Sequence, residues 1–431
     1  MKSTEWELLR SRRFLPLFLT QFLGAANDNI FKNALVLLVT YHLAAEAGFN
    51  GQIMATLAAG IFILPFFLFS AIAGQVADKF EKSRLITLIK AAEILIMGLA
   101  VVGFATRSVG VLLFALFLMG AHSTFFGPLK YAILPAHLSR EELLCGNALV
   151  EAGTYAAILA GTIAGGLAIA GTEGVAVASM LVLGVAGLGL VASLFIPRAE
   201  AAAPELRLGW NLWRDTGDLL RYAKAEPEIF GAILGISWFW LVGATYLSQF
   251  PAYAKDVLGA DAAVVTLFLA TFTIGIGLGS LVCGRIGKDG LVLWTVPVGA
   301  IGISLFGIDL FFASGPAHAG GIAEYLAHGA NWRVLADLTM VAVSGGLYIV
   351  PLYTLLQVKS AVSHRSRVIA ANNIWNALLM VGAALATMAM LAASFTVPQV
   401  FLTVALANAG VAWHFCRRYP NPVTDFFRRY K

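Results

Sequence analysis

The stretch Asn27-Asp-Asn-Ile-Phe-Lys-Asn33 places a carboxylate, an ammonium group and three amides in the middle of an apolar run. The apolar run begins at Phe14 and resumes at Ala34. The stretch is therefore either a loop between two short apolar pieces or a set of polar groups inside a membrane. In a helix, Asp28 and Lys32 lie four residues apart on one face. There they either neutralise each other or bind a ligand that carries both charges.

Other ionisable side chains also interrupt apolar runs in the first half of the chain: Lys90, Glu93, Lys130 and Glu151. A charge at mid-membrane costs about 2.5–3.5 kcal/mol on insertion scales, so such a side chain usually pairs or faces a functional cavity. The acids and bases are equal in number, so complete pairing is the structural alternative for each of them. Asp28 is the strongest functional candidate, because Asn27 and Asn29 make a polar patch too large for one salt bridge. Lys130 lies near the end of its run, where it could instead snorkel to the membrane surface.

The composition indicates an integral membrane protein. The chain has 431 residues, of which 59% are hydrophobic and 12% charged, with a mean hydropathy of +0.82, whereas soluble proteins carry about 25% charged residues. The net charge of +5 is attributed to cationic cytoplasmic loops, and no nucleic-acid partner is expected. Three widely spaced cysteines and the lack of nucleotide or metal motifs predict no disulfide framework, no metal and no cofactor.

Apolar runs of the length that a spanning helix needs, about 20 residues, predict an all-α fold with about twelve transmembrane helices. The predicted spans are 14–42, 52–76, 85–106, 109–133, 145–170, 174–196, 228–252, 262–285, 290–313, 334–357, 370–392 and 396–416.

Lysine and arginine residues set the predicted orientation, because they collect on the cytoplasmic side of membrane proteins. Of the 29 in the chain, 23 lie in segments that would all face one side. Only Arg107, Lys255 and Arg333 lie in the opposite loops. Both termini are therefore predicted to be cytoplasmic.

A single long polar connection divides the chain. Residues 1–196 form the predicted N-terminal six-helix bundle, 197–227 a cytoplasmic linker and 228–431 the C-terminal six-helix bundle. Tryptophan and leucine residues among charges in the linker predict an amphipathic helix on the membrane surface, with a plain solvated linker as the alternative.

The two halves also contain similar short motifs. Pro128-Leu129 matches Pro351-Leu352, and Asn147-x3-Glu151 matches Asn372-x3-Asn376, at corresponding places. Two six-helix repeats are the architecture of the major facilitator superfamily.

The loop after the second span resembles the signature of this superfamily, GxxxD[RK]xGR[RK]. It reads Gly74-Gln-Val-Ala-Asp78-Lys79-Phe-Glu-Lys82-Ser-Arg84 and departs from the signature at Glu81, where glycine is usual. The glycine lets two helices approach, while the aspartate and the cations form breakable contacts that hold a gate. We therefore predict gating roles for four residues: Gly74, Asp78, Lys79 and Arg84. An ordinary cationic loop is the alternative.

Small residues repeat at four-residue spacing, Gly161 with Gly165 and Gly275 with Gly279. Such pairs permit close packing of membrane helices. They predict either a smooth interface on which the fifth and eighth spans rock against each other or generic helix packing.

Aromatic and amide side chains dominate the spans of the second half, which is expected to contain almost no buried charge. We predict a substrate-binding wall there, with packing aromatics as the alternative. Its predicted members are Trp240, Tyr246, Gln249, Asn372 and Asn376. A cavity with ionic side chains on one side and aromatic and amide side chains on the other could bind an amphiphilic substrate.

Several blocks together resemble the bacterial lysophospholipid transporter branch of the major facilitator superfamily. They read QFLGAANDNIFKNAL, GQVADKFEKSRLI, FFGPLKYAILPAHL, GNALVEAGTYAAILAGTIAGG and VPLYTLLQ. The resemblance is closest to the transporter half of proteins that fuse this module to an acyltransferase. It implies a monomer in the bacterial cytoplasmic membrane that flips lysophosphatidylethanolamine-type lipids by alternating access. The flipped lipid, moved from the outer to the inner leaflet, would be re-acylated by a separate acyltransferase.

The resemblance also implies residue roles. Asp28 and Asn29, with Lys32 beside them, would lie in the headgroup region, Lys130 would contact phosphate, and Asn147 and Glu151 would line the same cavity. One departure is that some relatives carry an arginine in the seventh span, where this chain has none. Gln249 or Lys130 would have to replace it.

Two other functions were weighed. A proton-coupled efflux transporter for lipophilic drugs would use Asp28 or Glu151 as its titrating group. An acyltransferase is not expected, because none of the seven histidines begins an HxxxxD motif.

Overall fold

The computed structural model describes residues 5–39, 51–170, 173–287, 291–315 and 320–418. Within these ranges the chain is helical and contains no strand. Twelve long helices carry the fold: α1 Leu15–Leu38, α2 Gly51–Lys79, α3 Lys82–Ala105, α4 Val109–Ala132, α5 Leu143–Ala170, α6 Gly174–Ser193, α7 Pro227–Ala252, α8 Ala262–Ile286, α9 Thr295–Ala313, α10 Gly329–Lys359, α11 Arg365–Ala392 and α12 Val397–Arg418.

Helix α1 runs without interruption through the Asn27–Asn33 stretch, so the loop alternative is wrong. At 1.5 Å per residue, its 24 residues extend about 36 Å, enough to cross a bilayer. By length and composition, eleven helices of the described residues could span a membrane, and α1 is not among them. Its polar stretch accounts for that. The predicted end of this span, at residue 42, lies outside the described residues.

The twelve helices pack both within each predicted six-helix half and between the halves, where α5 packs on α8 and α2 on α11. In the N-terminal half (α1–α6), α1 packs on α5 and α6, α2 on α4, and α3 on α4 and α6. In the C-terminal half (α7–α12), α7 packs on α11, α8 and α9 on α10, and α9 on α12. We call the side of the bundle that carries residues 197–227 the linker side, and the opposite side the far side.

The apolar core shows that the halves meet on the linker side. One cluster joins linker-side residues of the N-terminal half, such as Phe14 and Tyr131, with the C-terminal half. A second cluster contains only far-side residues of the N-terminal half, such as Phe31, Phe104 and Leu116. The hydrogen bonds and ring contacts described between the halves lie near the linker side or mid-helix.

The glycine pairs pack helices within each half. A Cβ on Gly161 or Gly165 would lie 2.3 or 2.5 Å from backbone oxygens of α1, and one on Gly279 would lie 2.0 Å from a backbone oxygen of α10. These contacts support generic packing, and the rocking-interface interpretation is wrong for these glycines. On the α5–α8 contact, a Cβ on Gly284 would lie 3.0 Å from Ala148 Cβ.

The linker contains a helix, Leu212–Ala225, that rests on α2, α7 and α11. Tyr222 stacks on His364, and the Lys224 ammonium lies 5.7 Å from the centre of the Trp375 ring. Trp210 and Trp213 are 73% and 72% exposed, and the placement of this helix on a membrane surface stays a prediction.

Candidate functional site

Glu93 is the centre of a fully buried charge cluster between α1, α3 and α4. Its side chain is bonded to Lys90 on its own helix and accepts a hydrogen bond of 2.7 Å from Asn27 Nδ2. The His122 Nε2 atom lies 3.2 Å from its second oxygen. Glu93 is 0% exposed and Lys90 1%. Both charges are therefore compensated within the protein, which is the arrangement of a structural ion pair.

Asp28 lies next to this cluster but is less completely bonded. Its Oδ2 atom accepts a 2.7 Å hydrogen bond from Ser123, whereas its Oδ1 atom is buried without any partner. Asp28 and Lys32 share no hydrogen bond, and the Lys32 ammonium lies instead 5.7 Å from the centre of the Phe62 ring. The complete pairing that charge counting allowed is therefore absent. Asp28 keeps one oxygen for a further donor.

The amides of the stretch serve helix packing. Asn29 Nδ2 donates to the Ala25 carbonyl of its own helix, and Asn33 Nδ2 donates to the Thr162 carbonyl of α5. Two buried acceptors of the stretch have no partner, Asn27 Oδ1 and Asp28 Oδ1, and only the second belongs to a carboxyl group.

Glu151 lies at the meeting of the two halves. It is 0% exposed; its Oε1 atom accepts a hydrogen bond from the Tyr131 hydroxyl, and its Oε2 atom has no partner. The Tyr131 ring stacks on Tyr353 of α10, with ring centres 4.2 Å apart. Tyr353 in turn accepts a 3.1 Å hydrogen bond from Trp240 of α7. A half-bonded carboxylate thus faces aromatic side chains of the other half.

Lys130 points into the bundle. Its Nζ atom lies 4.7 Å from the centre of the Tyr131 ring and donates a 3.4 Å hydrogen bond to Thr154. Thr154 also bonds Gln21 of α1, whose amide nitrogen is buried without a partner. The Tyr131 ring therefore contacts both a cation and a second aromatic ring.

Asn147 is bonded across the halves in this conformation. Its Nδ2 atom donates to Gln357 at 2.6 Å and to Thr354 at 3.0 Å, and Gln357 donates back to its Oδ1 atom. The predicted substrate contact is thus part of a closed interface here.

The structure brings together only some of the five residues predicted to form the aromatic and amide wall. Trp240 joins the Tyr353 network, and Asn372 is 0% exposed with both amide atoms unpaired. Asn376 accepts from Ser237 of α7. Tyr246 instead stacks on Phe401 within the C-terminal half, and Gln249 bonds only its neighbour Ser248 in the hydrogen bonds described.

The predicted gate residue Asp78 joins α2 to the start of α11. It is 0% exposed and accepts hydrogen bonds from the Ser366 and Arg367 backbone amides, at 3.0 and 3.3 Å, and from Arg367 Nε at 3.1 Å. The first amides of a helix lack intrahelical partners and attract negative charge. Gly74 lies one turn away, where a Cβ would come 2.7 Å from Ala370.

Of the other two charged residues predicted for the gate, Lys79 contacts the linker and Arg84 does not. Lys79 Nζ donates to the Leu206 carbonyl at 2.6 Å, while the exposed Arg84 lies 3.9 Å from Glu81. Glu81 caps α3 by accepting from the Ser83 and Arg84 amides, and it also accepts from the Ala199 amide of the linker. Burial raises its pKa, but the hydrogen bonds outweigh burial and the net pKa is lowered. A glycine here, as in the signature, could make none of these side-chain bonds.

Several site residues escaped sequence analysis. Tyr131, Ser123 and Thr154 are neutral, and nothing in their spacing distinguishes them from packing residues. The expectation of almost no buried charge in the second half overlooked Asp337, which is 3% exposed within α10. An acidic residue inside a predicted span was the available signal.

The chain resembles known proteins in both sequence and fold. The family model of the Major Facilitator Superfamily matches residues 17–384. Lysophospholipid transporter LplT of Serratia proteamaculans is 29% identical over 365 residues, with 81% of each chain covered. The protein of that name from Escherichia coli O157:H7 (strain EC4115 / EHEC) is 29% identical over 355 residues, again with 81% of each chain covered.

A solved structure shares the fold. The major facilitator transporter FucP in its outward conformation aligns over 94% of this chain and 99% of its own, with 14% identity and a TM-score of 0.70.

Proposed function

The chain belongs to the Major Facilitator Superfamily, and from that premise we propose that it transports lysophospholipids across the membrane. The lipid class comes from the relatives, which are named for lysophospholipid transport. The proposal includes movement from the outer to the inner leaflet of a bacterial cytoplasmic membrane, by a monomer, for re-acylation by a separate acyltransferase. No catalytic step is assigned to the chain itself.

One observation carries the proposal: the bundle interior contains two carboxyl groups and one ammonium group that have bonding capacity left. Asp28 and Glu151 each have one buried oxygen without a partner, and Lys130 is held by a single long hydrogen bond and a ring face. A buried acceptor without a donor is costly, at about 1–3 kcal/mol. A zwitterionic headgroup supplies donors for the carboxylates and a phosphate for Lys130, while its acyl chain suits the surrounding apolar walls.

The closed linker side supports the proposed direction. Linker-side segments hold most of the lysines and arginines, so we assign that side to the cytoplasm. The Asp78 and Asn147 bonds close the bundle there, and the halves share no described hydrogen bond or ring contact at their far-side ends. A protein in this state would accept lipid from the outer leaflet.

The test is reconstitution into liposomes with labelled lysophosphatidylethanolamine, comparing wild type with Asp28→Asn and Lys130→Ala. Each change removes one charged group that has hydrogen-bonding capacity left. We therefore expect each to reduce flipping about tenfold or more, the effect of losing one charge-assisted contact of about 1.5–3 kcal/mol. Arg214→Ala, an exposed linker cation at 79%, is the matched control and should flip lipid normally.

Flipping that survives both changes would show that the headgroup site is wrong. If wild type moved no lysophospholipid but exported lipophilic drugs with a proton gradient, the function itself would be wrong.

A further inference from the structure

The linker is bonded to the loop between α2 and α3 before its own helix begins. The Lys82 amide donates a 3.0 Å hydrogen bond to the Ala199 carbonyl, and the Ala203 amide donates to the Asp78 carbonyl at 2.8 Å. The Glu81 carboxylate accepts a hydrogen bond from the Ala199 amide at 2.9 Å. The first part of the linker is therefore attached to the N-terminal half.

The attachment continues along α2. Lys79 Nζ donates to the Leu206 carbonyl at 2.6 Å, and the Gly209 amide donates to Gln75 Oε1 at 2.7 Å. Gly209 has no room for a side chain, because a Cβ there would lie 2.3 Å from the Asp215 carboxylate. The linker thus follows the end of α2 backwards, and each of these contacts belongs to the N-terminal half.

The linker helix, Leu212–Ala225, extends from one half to the other. In its first turn, the Trp213 ring lies edge-on to Phe67 of α2, with ring centres 6.4 Å apart. In its last turn, Tyr222 stacks on His364, in the turn before α11, with ring centres 4.6 Å apart. The start of the helix therefore contacts the N-terminal half, and its end contacts the C-terminal half.

Separation of the halves on the linker side would pull these two attachments apart. The end of α2 and the start of α11 meet there through Asp78 and Arg367, and major facilitators work by moving one half against the other. A single residue, Glu226, joins the linker helix to α7, so the helix moves with the C-terminal half. The contacts that Gly209 and Trp213 make with α2 must therefore break before the linker side opens.

We propose that residues 199–225 form a strap that holds the linker side closed in parallel with the Asp78 contact, and that Glu81 fastens this strap to the N-terminal half. Glu81 is suited to this role because the Ser83 and Arg84 amides, at 2.9 Å each, fix the same carboxylate. The superfamily signature has glycine at this position, and glycine has no side chain to accept these bonds. Glu81 is thus a positioning residue that acts on the bundle through the strap.

The first measurement needs no substrate, so it is independent of the proposed lipid. Cys145 is 8% exposed near the linker-side end of α5, and its alkylation reports opening of that side in purified protein whose other two cysteines are replaced. We expect Glu81→Ala and Tyr222→Ala each to speed alkylation about fivefold or more, the effect of losing one charged hydrogen bond or one aromatic contact. Glu205→Ala, at an exposed linker carboxylate, is the matched control and should react like wild type.

A double variant tests whether the two residues act through one strap. If either change releases the strap, Glu81→Ala/Tyr222→Ala should react no faster than the faster single variant. Tyr222→Phe keeps the ring that stacks on His364 and should behave as wild type. Alkylation rates that multiply in the double variant, or that are unchanged in both single variants, would overturn the proposal.

Tryptic cleavage separates release of the strap from loss of the α3 cap. Arg207 is an exposed residue between the bonded Leu206 and Gly209. We expect Glu81→Ala to be cleaved after Arg207 about fivefold faster than wild type, because a protease cuts chain that is locally released. A lower melting temperature with unchanged cleavage would show that Glu81 only caps α3, which would overturn its proposed role. Faster cleavage without faster alkylation of Cys145 would show that the strap does not hold this side closed.

Discussion

Glu93 and Glu151 are both fully buried glutamates of the N-terminal half, yet their surroundings differ. Glu93 is bonded to Lys90 and Asn27 and lies beside His122, all within one half. Glu151 is bonded to Tyr131 alone and faces the other half through the Tyr131–Tyr353 stack. A carboxylate with all its partners inside one half is unaffected when the halves move. A carboxylate that lies where the two halves meet, and that has one oxygen without a partner, can respond to a ligand.

Removing Glu93 should have the largest effect. Glu93→Ala leaves Lys90 buried without its partner, and breaking such a pair costs about 3–5 kcal/mol. We expect a low yield of folded protein and a strongly reduced melting temperature in detergent. The double variant Lys90→Met/Glu93→Leu removes both charges and should recover much of the loss. If Glu93→Ala were as stable as wild type, the ion pair of Glu93 with Lys90 would not stabilise the fold.

The matching change at Glu151 should spare the fold. Glu151→Gln keeps an acceptor for Tyr131 and removes a charge that has no ionic partner within hydrogen-bonding distance. We expect stability to change by about 1 kcal/mol or less, while lysophospholipid flipping falls about tenfold, as for loss of one charged contact. The same liposome assay and unfolding curve measure both. Equal losses of stability at Glu93 and Glu151 would remove the distinction between them.

A third buried carboxylate, Asp78, is fully bonded but across the halves. Asp78→Asn weakens its bonds to the start of α11, by about 1–2 kcal/mol for the charged contacts. We expect the linker side to open more often, so that Cys145, at 8% exposure near the α5–α8 contact, is alkylated about tenfold faster. The background variant lacks Cys283 and Cys416. Unchanged alkylation would show that Asp78 does not hold this side closed.

Glu81 is a bonded carboxylate outside the membrane helices, and its change should have the smallest effect. Loss of a helix cap costs about 0.5–2 kcal/mol, so Glu81→Gln should lower stability modestly at neutral pH. Because the folded pKa is lowered from 4.5, this contribution is present above the unfolded pKa and is lost as pH falls through the folded pKa. The stability difference from wild type should therefore shrink in acid. If the stability difference between Glu81→Gln and wild type did not change with pH, the ionised Glu81 side chain would not be the source of the stabilisation.

The number of long helices and the position of Asp78 at a helix contact were predictable because each depends on local pattern, whereas the gating role stays a prediction. Apolar runs of spanning length give the long helices, and the Gly74-to-Arg84 spacing is itself the signature of the contact that Asp78 makes. Spacing also placed Asp28 and Lys32 on one helix face, but not their partners. Ser123 and Phe62 come from other helices, and a neutral hydroxyl or a phenyl ring among many apolar residues carries no sequence signal.

The sequence by itself determined that charges and amides lie inside a helical bundle, because hydropathy and spacing act along the chain. Only the tertiary structure decided which of those charges are compensated. That depends on rotamers and helix packing, which bring Asn27 and His122 to Glu93 but leave oxygens of Asp28, Glu151 and Asp337 without donors. The physical reason is that a buried charge is satisfied only within about 3 Å, a distance set by neighbours far apart in the sequence.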